Sequence, residues 1–343
     1  MEKSLRVLLD HCIKHQFISP SLKRFGLLGN LVQWNVKNEW FGKNVIVNNK
    51  NTLVLEGLFN LKPVSTNLIQ QLQNAHSLFG GKSSISFATC SSEPLEDVEH
   101  ITNDENNNKD EISVANILKC MPRSYLNLHT FSPPGHQIDD FSNLQKKRRL
   151  WWKSMMRQPE MLRIEVGSTA LEGCTMEAIT LWKPELFDDP KLNEEMKIVS
   201  NEKSDWPCLI TTQMRLEAAT WNYLIDSFTS QSMLSSLQLH HVLSPFKVVL
   251  MIENNPTHIN ELQELSQLLT QQLIQQKISV LPSSAQWSIQ DCDARAVPFN
   301  LLLDETTLEN GICSLRSRDT NIQVQVHVSE VIDKLKSVWK NWS

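Results

Sequence analysis

The sequence lacks the short motifs that usually bind phosphates or carry out hydrolysis. Among its 343 residues there are only ten glycines, and no G-x-G-x-x-G, P-loop, G-x-S-x-G or H-E-x-x-H pattern occurs. The adjacent acids Asp139–Asp140 and Asp188–Asp189 could serve acid–base chemistry, but such pairs are more typical of a solvated surface. The sequence therefore predicts no catalytic residue.

Paired cysteines are also lacking. The seven cysteines form an odd set without any C-x-x-C pair, which argues against a disulfide framework and against a zinc ribbon. They are Cys12, Cys90, Cys120, Cys174, Cys208, Cys292 and Cys313. His11, Cys12 and His15 could meet on one helical turn as metal ligands, but no second ligand cluster completes a site. We therefore expect reduced thiols, no metal and no cofactor.

Long apolar runs are absent as well. No stretch of about 18 apolar residues occurs, so the sequence predicts no membrane-spanning helix. The apolar share of 41% suffices for about two packed domains in a chain of this length. The N-terminus is amphipathic and carries Lys3, Arg6 and Lys14, but Glu2 and Asp10 lie within it. An import signal is therefore left open by the sequence.

The negative charge of the chain is concentrated in one segment. Residues 91–113 contain eight acids and one base and carry -7, which leaves +2 on the remainder because the whole chain carries -5. A mildly basic remainder permits contacts with nucleic acid. The stretch from about 83 to 113 is also rich in Ser and Asn, so we predict that it forms a disordered surface loop.

The last hundred residues alternate short apolar runs with helical spacing, which predicts a βαβ unit and further strands. Strands are predicted at 246–252, 278–281, 299–303 and 312–315. A helix is predicted to begin at Thr257, a short helix to end at Gly311, and a final helix to begin at Ser329. Earlier in the chain, strands are predicted at 44–47, 52–55 and 125–131, a helix at 65–78, and a second acidic loop at 188–205.

A basic helix is predicted from about residue 137 to residue 157. At 100° per residue, Leu144, Trp151, Trp152 and Met155 share one side of this helix. The opposite side carries four cations, which are Lys146, Arg149, Lys153 and Arg157. One hypothesis is a solvated face on a buried helix, and the other is a row of cations that contacts the DNA backbone without reading sequence.

Tryptophans occur in two pairs. Trp151 and Trp152 could stack on bases, but the apolar neighbours on the same helix side favour packing in the core. Near the C-terminus, Trp339 and Trp342 are explained equally well by binding to a partner and by docking of the last helix within its own domain.

Several segments together resemble one protein family. Residues 304–311, followed by 315–320, resemble the C-terminal anticodon-binding domain of glycyl- and prolyl-type synthetases, and more specifically the insect-like accessory subunits of mitochondrial DNA polymerase gamma. Further matches follow the same order as in that family, at residues 131–134, 151–153, 223–228 and 247–250. The resemblance runs from Leu8 to Ile332 and covers most of the chain.

The resemblance implies an α/β (α+β) fold in two domains. Residues 1–240 are expected to form a class II synthetase-like antiparallel sheet domain, interrupted by the acidic loop. Residues 241–343 are expected to form an anticodon-binding-like domain with a mixed five-stranded sheet. The implied protein is a non-catalytic accessory subunit in the mitochondrial matrix and nucleoid, which binds the catalytic polymerase subunit and raises its affinity for primer–template DNA.

The resemblance also implies site residues and an assembly. Polymerase binding is carried over to Glu309, Asn310, Gly311, Arg316 and Arg318, and DNA binding is assigned to the cations of the basic helix. Gly311 could instead simply end a helix, and Arg318 could pair with the adjacent Asp319. The helical dimerisation insert of vertebrate members needs more chain than is present here, so we expect a heterodimer with one accessory subunit and no membrane contact.

Two alternative functions stay open at this point. A working class II synthetase would need an arginine-bearing motif and a glycine-rich motif that ends in arginine. Arg163-Ile164-Glu165 faintly resembles the first motif, and nothing resembles the second. A free-standing tRNA-binding protein is the other alternative, because a row of cations contacts the phosphates of either nucleic acid.

Overall fold

The computed structural model describes residues 2–42, 52–56, 85–93, 113–132, 135–165, 168–171, 174–182, 198–200, 203–205, 208–231, 234–253, 256–282 and 287–340. The chain divides into two compact units. The sheet unit comprises Val36–Lys153 and Gln158–Asn222, and the terminal unit comprises Met1–Asn35, Ser154–Arg157 and Tyr223–Ser343. This partition differs from the predicted boundary at residue 240, and the predicted domain division itself stays a prediction.

The described residues include α-helices in both units. They are α1 (Glu2–Lys14), α2 (Leu27–Phe41), α3 (Val114–Lys119), α4 (Gln137–Met155), α5 (Leu216–Ser227), α6 (Ile259–Gln275), α7 (Ile289–Ala294), α8 (Glu305–Asn310) and α9 (Val331–Lys340). Within the described part of the chain, no helix is both long and apolar enough to cross a membrane.

The sheet unit contains a seven-stranded sheet with the order β1-β2-β3-β9-β6-β5-β4. Its strands are β1 (Thr52–Glu56), β2 (Ile85–Glu93), β3 (Arg123–Ser132), β4 (Arg163–Glu165), β5 (Ser168–Leu171), β6 (Cys174–Trp182) and β9 (Cys208–Arg215). Only the β1–β2 pair is parallel among these neighbours. The predicted antiparallel sheet is therefore confirmed.

Strand β2 corrects the predicted loop at 83–113. Residues 85–93 are rich in Ser and Thr, yet they pair with β1 on one side and β3 on the other. Small polar side chains are accommodated because they bond across the sheet, as Ser86 Oγ does with Thr130 Oγ1 at 3.0 Å. The rest of the predicted acidic loop, at 94–112, lies outside the described residues.

The predicted acidic loop at 188–205 needs a similar correction. Its end forms a small antiparallel pair, β7 (Ile198–Ser200) with β8 (Lys203–Asp205). The two short strands are joined by a two-residue connection and form backbone hydrogen bonds with each other. The polar, acidic composition of the segment gives no sign of this pairing. The predicted strand at 44–47 and the predicted helix at 65–78 lie outside the described residues.

The terminal unit contains a mixed five-stranded sheet with the order β13-β12-β14-β15-β16. The strands are β12 (Val248–Ile252), β13 (Val280–Leu281), β14 (Phe299–Leu303), β15 (Ile312–Ser317) and β16 (Gln323–His327), and a hairpin of β10 (Phe228–Gln231) and β11 (Leu234–Leu237) belongs to the same unit. β12 runs parallel to β13 and β14, and the remaining pairs are antiparallel. The predicted α/β fold class with a mixed five-stranded sheet is confirmed.

One face of this sheet packs on α6 and α9. Leu262, Leu269 and Leu273 of α6 are buried against Val248 and Leu250 of β12, as the 3.6-residue spacing requires. Helix α6 begins at Ile259 rather than at Thr257. In α9, Val331 and Leu335 belong to the core and Trp339 packs against it. This packing favours docking of the last helix within its own domain over binding of Trp339 to a partner. Trp342 lies outside the described residues.

Candidate nucleic-acid and partner interfaces

Helix α4 has one buried and one basic side, as its sequence predicts. Trp151, Trp152 and Met155 are buried and Leu144 is half-buried, so core packing of the tryptophan pair is confirmed. Asp139 and Asp140 lie in the first turn and suit the positive end of the helix dipole. Asp140 Oδ2 also accepts a hydrogen bond from Ser132 Oγ of β3 at 2.5 Å.

The exposed side of α4 carries a row of cations that we call the basic stripe, made of Lys146, Arg149 and Lys153. All three side chains are exposed, and helical geometry places them within about 60° of arc and about 10 Å of axial length. Arg157 does not belong to the stripe, which corrects the prediction, because α4 ends at Met155. Pro159 explains the end, since a proline disfavours helical backbone in the residue before it.

Beyond the helix end, the backbone N–H of Arg157 donates to Asp226 Oδ2 at 2.6 Å, and its own side chain is exposed. Lys147 is exposed as well, about 100° around the helix from Lys146. DNA binding by any of these cations stays a prediction.

The most buried charge of α4 was missed from the sequence. Arg148, in the middle of the basic run, is 1% exposed and pairs with Glu177 of β6, whose side chain is also buried. Its Nε donates to Glu177 Oε1 at 2.8 Å, and Trp152 Nε1 donates to Glu177 Oε2 at 2.6 Å. The guanidinium lies over the ring of Trp151, with Cζ 4.2 Å from the ring centroid.

Helical spacing could have identified Arg148. It precedes Trp151 and Trp152 by three and four residues, so it lies on their side of the helix and not on that of the stripe. Because a buried cation must be paired, the Arg148–Glu177 contact also fixes the rotation of α4 on the sheet. The basic stripe is thereby directed away from the core.

The predicted polymerase-binding residues begin at the C-terminal end of α8. Asp304 caps this helix, because Oδ1 accepts from the Thr307 backbone N–H at 2.9 Å while Thr307 Oγ1 accepts from the Asp304 N–H at 3.1 Å. At the other end, Glu309 and Asn310 are exposed. These two side chains are therefore accessible to a partner.

Gly311 ends α8 in the left-handed conformation, with φ 74° and ψ 10°, as predicted from its position. A Cβ at this position would collide with the ring of His327 at the end of β16. The helix end and this close approach are enough to explain the glycine.

Arg316 and Arg318 are held within the terminal unit itself. Arg316 makes two parallel hydrogen bonds to Asp293, of 2.9 and 2.8 Å. Arg318 is 4% exposed; its Nη1 and Nη2 donate to the carbonyls of Leu237 and Leu239 at 3.2 and 2.7 Å. The pairing of Arg318 with Asp319 is present at 2.7 Å.

The structure does not bring these five residues into one cluster. Glu309, Asn310 and Gly311 precede β15, whereas Arg316 lies at its far end, about 16 Å along an extended strand. Only the first group presents exposed side chains, while the two arginines fix β15 and the segment after β11. A partner role for the group stays a prediction.

Lys247, in one of the segments that carry the family resemblance, holds the turn before β12. Its ammonium donates to the carbonyls of His241, Val242 and Ser244 at 2.5, 2.8 and 3.0 Å. Burial, aided by the nearby charge of Lys247, lowers the pKa of His240 to about 4. Burial and the neighbouring His240 lower the pKa of His241 to about 3, so both imidazoles are neutral near pH 7.

The three N-terminal residues considered as metal ligands, His11, Cys12 and His15, are buried in the terminal unit. His11 Nε2 lies 3.0 Å from the carbonyl oxygen of Ala294, and its ring centroid lies 4.6 Å from that of His15. Burial raises the pKa of the Cys12 thiol well above its usual range. Over the described residues, no group of three or more His, Cys, Asp or Glu side chains could hold a metal ion.

Comparison with known proteins finds one matching family model and several relatives of this chain. Residues 247–338 match the family model described as anticodon binding domain. A Drosophila melanogaster protein named DNA polymerase subunit gamma-2, mitochondrial, is 23% identical over 255 residues, which cover 64% of this chain and 68% of that protein.

Mammalian relatives match a shorter region. The Mus musculus protein named DNA polymerase subunit gamma-2 is 37% identical over 145 residues, and the Bos taurus protein of the same name is 34% identical over 145 residues. Each alignment covers 38% of this chain, but only 31% of the mouse protein and 30% of the bovine protein. The resemblance found in the sequence is thus confirmed: the chain is related to the proteins named DNA polymerase subunit gamma-2 and carries an anticodon-binding domain at residues 247–338.

Proposed function

We propose that this protein is a non-catalytic accessory subunit of the mitochondrial DNA polymerase. It binds the catalytic subunit and raises its affinity for primer–template DNA, and hence its processivity in mitochondrial DNA replication. The names of the relatives support the assignment to this polymerase. The name of the Drosophila relative contains the word mitochondrial, which supports a mitochondrial location; we place the protein in the matrix, at the nucleoid.

The observation that carries the DNA-binding part is the basic stripe. Three exposed cations on one side of a firmly packed helix span about 10 Å, a length that reaches two or three neighbouring phosphates of one strand. Phosphate contacts of this kind hold DNA without reading its sequence. A processivity factor needs that property, because it must stay bound while the sequence beneath it changes.

The polymerase contact is assigned to the exposed end of α8. Glu309 and Asn310 would meet the catalytic subunit directly, next to Leu308, which is 37% exposed. Arg316 and Arg318 would act through the backbone segments that they hold in place. We further propose a heterodimer with one accessory subunit, and no cofactor.

The absence of catalysis is proposed from how the arginines of the sheet unit are used. A working synthetase would hold ATP phosphates with guanidinium groups that are free to reach them. Here Arg148 pairs with Glu177. Arg215, in β9, donates to the carbonyls of Leu118, Met121 and Pro122. Both groups are committed to the fold, which favours an accessory role over that of a working synthetase.

Primer extension by the catalytic polymerase subunit tests the proposal. At moderate salt, adding this protein should lengthen the products, and alanine at all three stripe positions should remove most of that effect. Lys147→Ala, on another part of the same exposed side, is the matched control and should behave like wild type. Unchanged product lengths, together with no stable complex with the catalytic subunit, would refute the proposed function.

The same variants distinguish the tRNA-binding alternative. Wild-type protein that binds tRNA much more tightly than primer–template DNA, through the same three cations, would favour a tRNA-binding or synthetase-like role. Tighter binding to primer–template DNA in the presence of the catalytic subunit would favour the accessory role.

A further inference from the structure

The five-stranded sheet of the terminal unit has one protected and one unprotected edge. At the first edge, β13 is only two residues long and is followed by Pro282, which leaves few backbone groups for another strand. At the second edge, β16 pairs with β15 over five residues without a register shift. Within the described part of the chain, no strand pairs with the outer side of β16. Residues 321–328 contain no proline, lysine, arginine or acid, so neither charge nor proline nor a bulge protects this edge.

Two hydrogen bonds at the ends of the β15–β16 pair show which backbone groups of β16 point outward. The Ser317 N–H donates to the Ile322 carbonyl at 3.0 Å, and the Val328 N–H donates to the Gly311 carbonyl at 2.8 Å. Bonded and non-bonded positions alternate along an antiparallel strand. The even-numbered residues of β16 therefore bond to β15, and the odd-numbered residues turn their N–H and C=O groups away from it. These outward residues, all exposed, are Gln323, Gln325 and His327.

The side chains of this edge are apolar on one face and uncharged around the glutamines on the other. Val326 belongs to the hydrophobic core beneath α6 and α9, and Val324, two positions earlier, lies on that same face. Val324 and the neighbouring Ile322 are nevertheless 37% and 61% exposed. On the opposite face, Arg316 is the only charged residue of β15, and it makes two hydrogen bonds to Asp293. The edge therefore offers apolar area without a free charge beside it.

This edge is complementary to itself. In an antiparallel pair of two copies related by a two-fold axis at Gln325, that residue lies opposite Gln325 of the second copy, and Gln323 lies opposite His327. These are the residues whose backbone groups point outward, so they can bond across the axis. On the apolar face, Val324 lies opposite Val326 of the second copy, which covers a partly exposed side chain. Like charges meet at none of these positions.

We propose that β16 is a self-association surface, through which two copies of this protein form a two-fold dimer when the catalytic subunit is not bound. The two five-stranded sheets then form one continuous sheet. Association stops at two copies, because the pairing uses the β16 edge of both copies and β13 is too short to offer another. The contact is small, so the dissociation constant should be on the order of 10–100 μM.

The dimer is a state of the free protein. The hydrogen bond from the Val328 N–H to the Gly311 carbonyl places the end of β16 beside the end of α8, where Glu309 and Asn310 form the proposed polymerase contact. We expect a catalytic subunit bound there to compete with the second copy. The dimer is therefore compatible with a heterodimer that contains one accessory subunit. Only this competition rests on the proposed function.

Sedimentation velocity of the full chain alone, from about 1 to about 300 μM, tests the inference, because this range brackets the expected dissociation constant. Wild type should change from monomer to dimer over this range. Gln325→Pro should stay monomeric, because it removes an outward N–H and adds a ring on the side of the second copy, while the bonds to β15 stay intact. Gln325→Thr keeps the N–H and is the matched control, so it should dimerise like wild type. Thermal unfolding verifies that both variants are folded.

A charge exchange tests the register without using proline. Gln325→Lys should weaken the dimer several-fold at low salt, because two like charges then face each other across the axis. Gln325→Glu should weaken it for the same reason. An equimolar mixture of the two variants should dimerise at least as well as wild type, since each pair then joins opposite charges. A mixture that dimerises no better than either variant alone would contradict the register.

Three other results would overturn the inference, each in a different way. If wild type stays monomeric over the whole range, β16 does not join two copies. If Gln325→Pro dimerises like wild type, another surface forms the dimer. If wild type is monomeric and Gln325→Pro weakens binding to the catalytic subunit, the edge belongs to the polymerase contact instead. The sedimentation results do not depend on the proposed function, so the two can fail separately.

Discussion

Removing Glu177 should be among the most damaging single changes in the sheet unit. The carboxylate accepts hydrogen bonds from Arg148 Nε at 2.8 Å and from Trp152 Nε1 at 2.6 Å, and the side chains of the ion pair are 1% and 0% exposed. Glu177→Ala would remove the Glu177 counter-charge from a buried guanidinium and the Glu177 acceptor from a buried indole N–H. Neither group can reach water without displacing helix α4 from the sheet.

Breaking a buried ion pair from one side costs about 3–5 kcal/mol, because the remaining charge stays desolvated. In a domain of this size each kcal/mol lowers the Tm by about 2–4 °C, so we expect a decrease of about 6 °C or more. Replacing both partners by apolar residues, Arg148→Met with Glu177→Leu, should restore the part of the loss that comes from the buried charge, whereas Trp152 Nε1 would still lose Glu177 as its acceptor. The apolar pair needs no counter-charge and would still pack against the tryptophans.

Urea unfolding at 25 °C, followed by tryptophan fluorescence, would measure these differences. Wild type, Arg148→Met, Glu177→Leu and the double variant form a cycle that isolates the coupling between the two residues. Lys147→Ala, on the exposed side of the same helix, should stay within about 0.5 kcal/mol of wild type. A Glu177→Ala variant whose free energy of unfolding falls by less than about 1 kcal/mol would contradict the reasoning, since removing one partner of a buried ion pair should cost more than that.

Three further predictions follow from other parts of the chain. Alanine at all three cations of the basic stripe should reduce the slope of log K against log salt concentration for duplex DNA by about 0.9 per lost phosphate contact, with an unchanged Tm. Gly311→Ala should destabilise the terminal unit by about 1–2 kcal/mol from its positive φ alone. In an unfolding titration, adding His327→Ala should recover only the part of the stability loss that comes from the collision of the new Cβ with the His327 ring. Burial lowers the pKa of His129 to about 4, so from pH 6.5 down to 4 the unfolded chain binds a proton that the folded chain does not. Stability should therefore decrease by up to about 3 kcal/mol as the pH falls through that window, and His129→Phe should remove that part of the dependence.

The features that the sequence predicted correctly depend on local spacing. The 100° turn per residue was enough to separate the buried tryptophans of α4 from its exposed cations. The need for a left-handed residue at the end of α8 was enough to assign Gly311. Apolar runs of strand length likewise predicted four strands of the C-terminal sheet, because these signals act between residues only a few positions apart; the fifth strand was implied only by the family resemblance.

The tertiary structure decided which charges face solvent and which polar segments form strands. Arg148 looks like its basic neighbours until Glu177 of β6 is brought beside it. Arg318, whose role toward a partner stays a prediction, donates to the carbonyl oxygens of Leu237 and Leu239, about 80 residues away. Strand β2 forms in a polar segment because β1 and β3 pair with it. Contacts between residues so far apart in sequence depend on which elements become neighbours in the fold. Local composition therefore cannot predict these contacts.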